Sequence, residues 1–111
     1  MQSASFQFDK ELPWEDLNNG LQRQLFGYDD KVMMLKITFE EDAIGAMHQH
    51  PHSQVTYIES GVFDMTIGSV TKRLQAGDGY YVPPHALHGI VCIEAGMLID
   101  VFSPLREDFL G

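Results

Sequence analysis

The sequence predicts an all-β fold, a sandwich or small barrel, on three observations. Apolar and polar residues alternate with a period of two over most of the 111 residues, which is typical of half-buried strands. Turns rich in glycine, proline and asparagine separate these segments at short, regular intervals. No segment longer than one turn combines the apolar period of a helix with capping residues. Many short strands at regular spacing therefore define the predicted architecture.

The first forty residues predict two short elements followed by two strands. In order, these are a strand at 6–8, a helical turn at 12–17, a turn at 18–20, a strand at 21–26, a turn at 27–30 and a strand at 33–39. The helical turn has Pro13 early, where its missing N–H does least harm. The last strand places Met33, Leu35, Ile37 and Phe39 on one face, so we expect that face to be buried.

The second part of the chain continues the same pattern. The predicted strands are 55–59, 62–67, 70–74, 80–82, 88–93 and 97–102. The predicted breaks are 60–61, 68–69, 75–79, the proline pair 83–84, and 94–96. No segment has the composition of a linker or the self-similarity of a repeat, so we expect one domain spanning residues 1–111.

Composition excludes several classes of partner. The net charge of −9 disfavours nucleic acids and anionic membranes, which bind basic surfaces, but an anionic small molecule needs only a local cation. Cys92 is the only cysteine, so no intrachain disulfide forms and a reducing cytoplasm fits best. The first ten residues lack the pattern of a signal peptide, and no apolar stretch is long enough to span a bilayer. These features predict a cytoplasmic location.

Three of the five histidines lie within five residues of one another. Along an extended strand, His48, His50, His52 and Gln54 would point to one face. Imidazoles that converge on one face make a metal site, because the neutral ring nitrogen suits Zn, Ni, Fe and Mn ions. The alternative is that they are surface or hydrogen-bonded core histidines. His88 lies far along the chain, and two antiparallel strands can bring it opposite this cluster.

These residues fall into a two-motif pattern that resembles the cupin family. The first cupin motif has a glycine, a short spacer, a His-x-His pair, three or four intervening residues, an acid, six intervening residues and a second glycine. Here it is formed by Gly45, His48, His50, Gln54 and Gly61, with glutamine in the place of the usual glutamate. The resemblance implies a small cupin barrel, a double-stranded β-helix of jelly-roll type, with an N-terminal arm at about 1–20 and the barrel at about 21–111.

The second cupin motif has a glycine, five residues, a proline and then a histidine. Gly77, Pro83 and His88 match it. Together the two motifs imply four metal ligands, which are His48, His50, Gln54 and His88. His52 and His85 are not expected to be ligands, because the cupin pattern skips position 52 and commonly has glycine at position 85.

The ligand set points to a divalent metal ion without naming it, since three histidines and an amide accept Ni, Zn, Fe, Mn or Co. Gln54 is a neutral oxygen donor, so the ion would keep its full positive charge. This favours polarisation of a substrate oxygen over redox work, in which an anionic ligand stabilises a higher oxidation state.

A narrower resemblance covers residues from about 14 to 110. Segments 13–17, 81–91 and 98–110 resemble the pectin-degradation (KdgF-like) cupins, which open the ring of 4,5-unsaturated uronates released by pectin or alginate lyases. In that family an Asp, a Phe and an Arg of the final segment line the site. The resemblance therefore implies Asp100, Phe102 and Arg106 as catalytic residues and an anionic sugar as the substrate.

The residues themselves support this assignment. Strand alternation places Asp100 on the same face as Leu98 and Phe102, and an acid in apolar surroundings has a raised pKa that suits proton transfer. Arg106 offers a planar fork that suits a carboxylate. The alternative is a structural ion pair between Asp100 and Arg106.

The sequence therefore predicts a metal-dependent enzyme of isomerase or tautomerase type that linearises unsaturated hexuronates. Two other functions remain open at this stage. One is a small redox cupin, an Fe or Mn dioxygenase with the same ligands, and the other is a non-catalytic sugar-binding cupin. By resemblance to other cupins, we also expect a homodimer.

Overall fold

A computed structural model describes all 111 residues and is built almost entirely of strands. The strands are β1 (Glu15–Asn18), β2 (Leu21–Asp29), β3 (Val32–Phe39), β4 (Ile44–His48), β5 (Ser53–Ile67), β6 (Val70–Gln75), β7 (Gly79–Val82) and β8 (His88–Ser103). Two short 3-10 helices complete the structure, at Asp9–Glu11 and Glu107–Leu110. Neither is long and apolar enough to cross a membrane.

The two longest strands, β5 and β8, organise the sheet. They pair antiparallel along nearly their whole length, from Ser53 opposite Ser103 to Ile67 opposite His88. At one end β7 flanks β5, and β3, β2 and β1 continue beyond β8. At the other end β6 flanks β5 and β4 flanks β8. The all-β prediction is confirmed. The strands form one sheet whose two edges are not hydrogen-bonded to each other, so the sheet does not close into a complete ring.

Both long strands continue through positions where the sequence predicts a break. Turns were expected at 60–61 and 94–96, and both expectations are wrong because the chain bulges there instead of reversing. Gly61 has φ of +88°, and a Cβ at this position would lie 2.7 Å from the Glu94 carbonyl oxygen. Glycine at this point therefore bends a continuous strand and admits the close approach of β8.

The N-terminal predictions are also corrected. Residues 6–8 form no strand, since Phe6 and Phe8 are exposed and have no pairing partner. The helical turn expected at 12–17 lies earlier, at Asp9–Glu11, and β1 takes up the second half of that segment. The buried Gln24 amide explains the arrangement, because its nitrogen lies 3.1 Å from the carbonyl oxygens of both Asp9 and Leu12.

The turn expected at 27–30 is displaced as well. β2 continues to Asp29 through an irregularity between Leu25 and Tyr28, and the reversal comes at Asp30 and Lys31. The Asp29 carboxylate accepts the backbone N–H of Lys31 at 2.8 Å, which stabilises the reversal there.

Two apolar clusters form the core. The larger joins both ends of the sheet and contains Phe39, Ala43, Ile58, Phe63, Met65, Val82, Ile90, Cys92 and Leu98. The smaller packs the C-terminal segment against β3 and β8 and contains Met33, Leu35, Phe102 and Leu105. The predicted buried face of β3 is thus confirmed, and Cys92 has the packing role that its apolar neighbours favour.

Replacement of Gly61 by alanine is expected to destabilise the fold strongly. The left-handed backbone alone costs an L-residue about 1–2 kcal/mol, and the Cβ would in addition press on the β8 backbone, so the loss of unfolding free energy should exceed that range. Urea denaturation monitored by circular dichroism measures it.

Gly68→Ala is the matched control, because Gly68 also has positive φ, of +61°, but a Cβ there meets nothing within 4 Å. If both variants lost the same unfolding free energy, the close approach of β8 would contribute nothing to the destabilisation by Gly61→Ala.

Candidate functional site

The structure brings three of the predicted ligands together. His48 ends β4, His88 begins β8, and the strand register places these two residues directly opposite each other. His50 follows in the loop, and its ring centroid lies 4.8 Å from that of His88. One ring nitrogen from each of the three histidines lies within 4.8 Å of the others. The sequence motif and the tertiary structure therefore select the same three imidazoles.

Backbone carbonyl groups determine the tautomer of each ring. Nδ1 of His48 lies 2.8 Å from the Ala46 oxygen, that of His50 lies 3.0 Å from the His52 oxygen, and that of His88 lies 2.9 Å from the Ala86 oxygen. A carbonyl oxygen only accepts hydrogen bonds, so Nδ1 carries the proton in every ring. In the neutral imidazoles, Nε2 is then left with a free lone pair. This is the usual arrangement of histidines that ligate a metal through Nε2.

The side-chain amide of Gln54 adds a fourth acceptor. Its Oε1 lies 3.0 Å from Nε2 of His50, while its Nε2 donates to Thr56 Oγ1 at 3.1 Å and faces Asp100 Oδ1 at 3.4 Å. Two acceptors, Gln54 Oε1 and His50 Nε2, therefore face each other. Such a contact is stabilised only by a cation that both atoms bind.

The surroundings favour a metal ion over a proton as that cation. Burial lowers the pKa of His50 and of His88, so neither ring gains a second proton readily. Nε2 of His88 is buried and has no hydrogen-bond partner. A buried acceptor without a donor is unfavourable, whereas three imidazole nitrogens and one amide oxygen suit a divalent transition metal. The residues present thus fit the expected ion.

Asp100 lies beside this cluster on β8. Its carboxylate Oδ1 accepts the hydroxyl of Thr56 at 2.5 Å, whereas Oδ2 forms no hydrogen bond. Burial raises the pKa of Asp100 to about 6, although the hydrogen bonds from Thr56 and Gln54 oppose the shift. The alternative of an ion pair between Asp100 and Arg106 is wrong, since Arg106 pairs with Asp108 instead.

Arg106 approaches the site from the C-terminal segment. Its Nε and Nη2 donate to the two oxygens of Asp108 at 3.1 and 2.8 Å, and Nη1 is left without a partner. The guanidinium group lies over the rings of Phe102 and Phe109, 4.9 and 4.1 Å from their centroids. The cation is therefore held in place, but only part of its fork is available to a ligand.

A cavity of about 230 Å³ connects these groups. It is lined by Leu21, Ile37, Phe39, Gly45, His48, Gln54, Met65, Tyr80, His88, Gly89, Ile90, Leu98, Asp100, Phe102, Arg106 and Phe109. Arg106 is the only lysine or arginine among them, and most of the other side chains are apolar. The cavity thus combines two of the three clustered histidines, a buried acid and one cation on largely apolar walls.

The remaining two histidines lie outside the three-histidine group. His52 packs its ring beside those of His50 and Phe102, with centroids 5.5 and 6.4 Å away. His85 is exposed at φ of +66°, and its backbone N–H donates to the His50 carbonyl oxygen. This hydrogen bond ties the two motif loops together, which explains the position of His85 without a ligand role.

Three residues of the site were not anticipated. Thr56, Asp108 and Phe109 contact Asp100 or Arg106, yet none belongs to a motif. Thr56 has the same strand parity as Gln54, which is a signal present in the sequence. Asp108 and Phe109 follow a prolyl corner in a short 3-10 helix, where no periodicity indicates which way a side chain points.

Asp100 should make the metal-free protein less stable as pH rises. The unfolded chain releases this proton near the ordinary pKa of 3.8, whereas the folded chain holds it to about 6. The protonated carboxyl thus contributes about 3 kcal/mol to the free energy of unfolding. This contribution is fully present below about pH 4 and is lost as pH rises through about 6.

We therefore expect Asp100→Asn to gain stability relative to wild type between about pH 4 and about pH 7. Urea denaturation with a chelator present measures both proteins at each pH. A difference that stays constant with pH would contradict the prediction.

Comparison with known proteins gives a consistent result. A family model described as a cupin domain matches residues 35–102. The pectin degradation protein KdgF of Dickeya dadantii is 40% identical over 104 residues, which are 92% of this chain and 94% of that protein.

Two solved structures are similar over almost the whole chain. KdgF from Halomonas sp. is 34% identical with a TM-score of 0.91, covering 96% of this chain and 99% of its own. An RmlC-like cupin from Shewanella frigidimarina is 47% identical with a TM-score of 0.95, covering 97% of both chains.

Proposed function

Because this chain belongs to the cupin family and, within it, to the KdgF pectin-degradation proteins, we propose that it linearises 4,5-unsaturated hexuronates. These are the products of pectin or alginate lyases, and ring opening gives the linear keto acid. The observation that carries the proposal is the buried Asp100, which lines one cavity with His48, His88 and Arg106. An acid, a cation and a metal site in one apolar cavity suit proton transfer on an anionic sugar.

The ligands of the metal in this proposal are His48, His50, Gln54 and His88. A divalent ion such as Ni, Zn, Fe or Mn would supply Lewis-acid polarisation of a substrate oxygen. The neutral Gln54 leaves the positive charge of the ion undiminished, which favours polarisation of a substrate oxygen over redox work.

Asp100 would transfer the proton. In ring opening, the anomeric hydroxyl loses a proton, the bond between C1 and the ring oxygen breaks, and C4 of the resulting enolate gains a proton. The atoms of substrate and product are the same, so the reaction is an isomerisation. With a pKa of about 6, the carboxyl of Asp100 can both accept and return a proton near neutral pH. Oδ2, which has no hydrogen bond, is the oxygen suited to this transfer.

Arg106 and Phe102 would bind and enclose the substrate. In a chain with a net charge of −9, an anionic sugar needs a local cation, and Arg106 is the only one on the cavity wall. Its free Nη1 is suited to donate to the uronate carboxylate, and Phe102 beneath the guanidinium would exclude water.

The proposal is tested by adding the purified protein to a lyase digest and following the open-chain product by NMR. Ring opening should be faster than in protein-free digest and should need the metal, so a chelator should remove the acceleration. Ring opening at the spontaneous rate, with metal supplied, would overturn the proposal.

We also propose that two copies pair through the outer face of the larger end of the sheet. Met34, Val101, Val55 and Tyr81 lie side by side across four strands, with Tyr57 in the next row. Val55, Tyr57 and Tyr81 are each more than half exposed, at 54%, 51% and 57%. These five side chains include no acid, so two copies of a strongly acidic chain can approach here without repulsion.

Sedimentation velocity tests the pairing. We expect a dimer for the wild type and a monomer for Val55→Glu. A wild-type monomer at micromolar concentration would refute the proposed dimer.

We propose a cytoplasmic location on the basis of cysteine usage. Cys92 is the single cysteine and is buried in the core, so the fold is stabilised without any disulfide. Cell fractionation followed by immunoblotting tests the location.

A further inference from the structure

Thr56 lies between the predicted metal ligands and the predicted acid. It shares one face of β5 with Gln54, two residues earlier, and strand register places it opposite Asp100 on β8. Its side chain is buried, with only 2% exposed. Neither cupin motif includes this residue, and the mechanism above assigns it no role.

The hydrogen bonds of the Thr56 hydroxyl run in one direction only. The amide nitrogen of Gln54 can only donate, and an ionised Asp100 can only accept. The Thr56 oxygen therefore accepts from Gln54 at 3.1 Å, and its own proton goes to Oδ1 of Asp100 at 2.5 Å. These two consecutive hydrogen bonds determine which end of the Gln54 amide faces the histidines.

The opposite amide orientation would be harmful to metal binding. If the amide rotated by half a turn, its nitrogen would donate to Nε2 of His50, and the oxygen would no longer be available as a ligand. In the metal-free protein that orientation gains a hydrogen bond at His50. Two acceptors at the other end of the Gln54 side chain oppose this orientation. The rotated amide oxygen would face the Thr56 hydroxyl oxygen, whose proton is already donated, and the carboxylate of Asp100, so it would repel both.

We propose that Thr56 is a positioning residue that orients both parts of the site. It turns the oxygen of Gln54 toward the histidines, and it holds Oδ1 of Asp100 so that Oδ2 is left for the substrate. The inference deepens the proposed function and rests on it.

Thr56→Val removes the hydroxyl while keeping the shape of the side chain. We expect its affinity for Zn²⁺, titrated alone by calorimetry, to fall about 10- to 100-fold, as is usual when a group that orients a ligand is lost. With saturating metal, kcat should fall while KM changes little, because Asp100 and not the substrate-binding residue is displaced. Thr56→Ser keeps the hydroxyl and should restore both quantities.

Thr66→Val is the matched control, since Thr66 lies on the same strand but its hydroxyl pairs with that of Thr71 at 2.7 Å, outside the cavity. It should bind Zn²⁺ and turn over as the wild type does. If circular dichroism shows that Thr56→Val is unfolded, Thr56→Ala replaces it, since alanine removes the hydroxyl together with the methyl group of Thr56 and adds no atom to the core.

Wild-type Zn²⁺ affinity and kcat in a folded Thr56 variant without the hydroxyl would overturn the inference and leave the proposed function intact. Failure of Thr56→Ser to restore the two quantities would also overturn it. If the wild type itself neither binds Zn²⁺ nor opens the ring, the proposed function fails, and this inference fails with it.

Discussion

Asp100→Asn should lower kcat for ring opening by about 10²- to 10⁴-fold, the range typical for loss of a general acid or base. An amide keeps the shape of the carboxyl and still accepts the Thr56 hydroxyl, but it cannot exchange a proton. Because Gln54 and the three histidines are unchanged, the variant should still bind metal. Turnover is measured by NMR on a lyase digest, and metal content by elemental analysis.

Asp64→Asn is a suitable control, since Asp64 is an acid that pairs with Arg73 on the surface and does not line the cavity. It should leave kcat unchanged. If Asp100→Asn lost its metal, Asp100 would be a ligand or a structural residue, and if it kept full activity, the proton would be transferred elsewhere.

His88→Ala should abolish metal binding and, with it, ring opening. His88 contributes a buried Nε2 without a hydrogen-bond partner, and its ring lies beside those of His48 and His50. Without His88, two imidazoles and one amide remain as ligands. The loss of metal affinity should therefore be larger than the factor of about 10 to 100 that is typical when only an orienting group is removed. Zn²⁺ calorimetry and the NMR assay measure the two effects.

His85→Ala provides the comparison for loss of an imidazole, because His85 is exposed and lies outside the cluster. It should bind Zn²⁺ as the wild type does. Retention of wild-type affinity by His88→Ala would exclude this site as the metal centre, whereas equal losses for both variants would indicate a general effect on the loops.

Much of the candidate site was predictable because it depends on strand parity and motif spacing. The two motifs select His48, His50 and His88, and antiparallel pairing of β4 with the start of β8 brings His88 to His48. The expectation that one extended strand carries His48, His50, His52 and Gln54 on one face is wrong, because β4 ends at His48 and β5 begins only at Ser53. His50 and His52 therefore lie in the loop between the two strands. Alternation placed Asp100 on the buried face of its strand. Such inferences hold because a strand's side-chain period is geometrically exact and independent of what the strand packs against.

The orientation of the polar groups was not predictable in the same way. The sequence was compatible with a bond between Asp100 and Arg106, yet Asp100 bonds Thr56 and Arg106 bonds Asp108. These partners are chosen by distances between segments far apart in the chain. Residue spacing carries no such information.

The sequence alone thus determined the all-β cupin fold, the two motifs, and the three histidines that meet. The all-β class follows from local alternation, whereas the cupin fold and the three histidines are what the resemblance of the two motifs to the cupin family implies. Only the tertiary structure decided that β5 and β8 run unbroken through their glycines, because the close approach of the two strands turns a predicted turn into a bulge. Only the tertiary structure showed how Asp100 is hydrogen-bonded, since its burial and its bond to Thr56 arise when β5 and β8 pair.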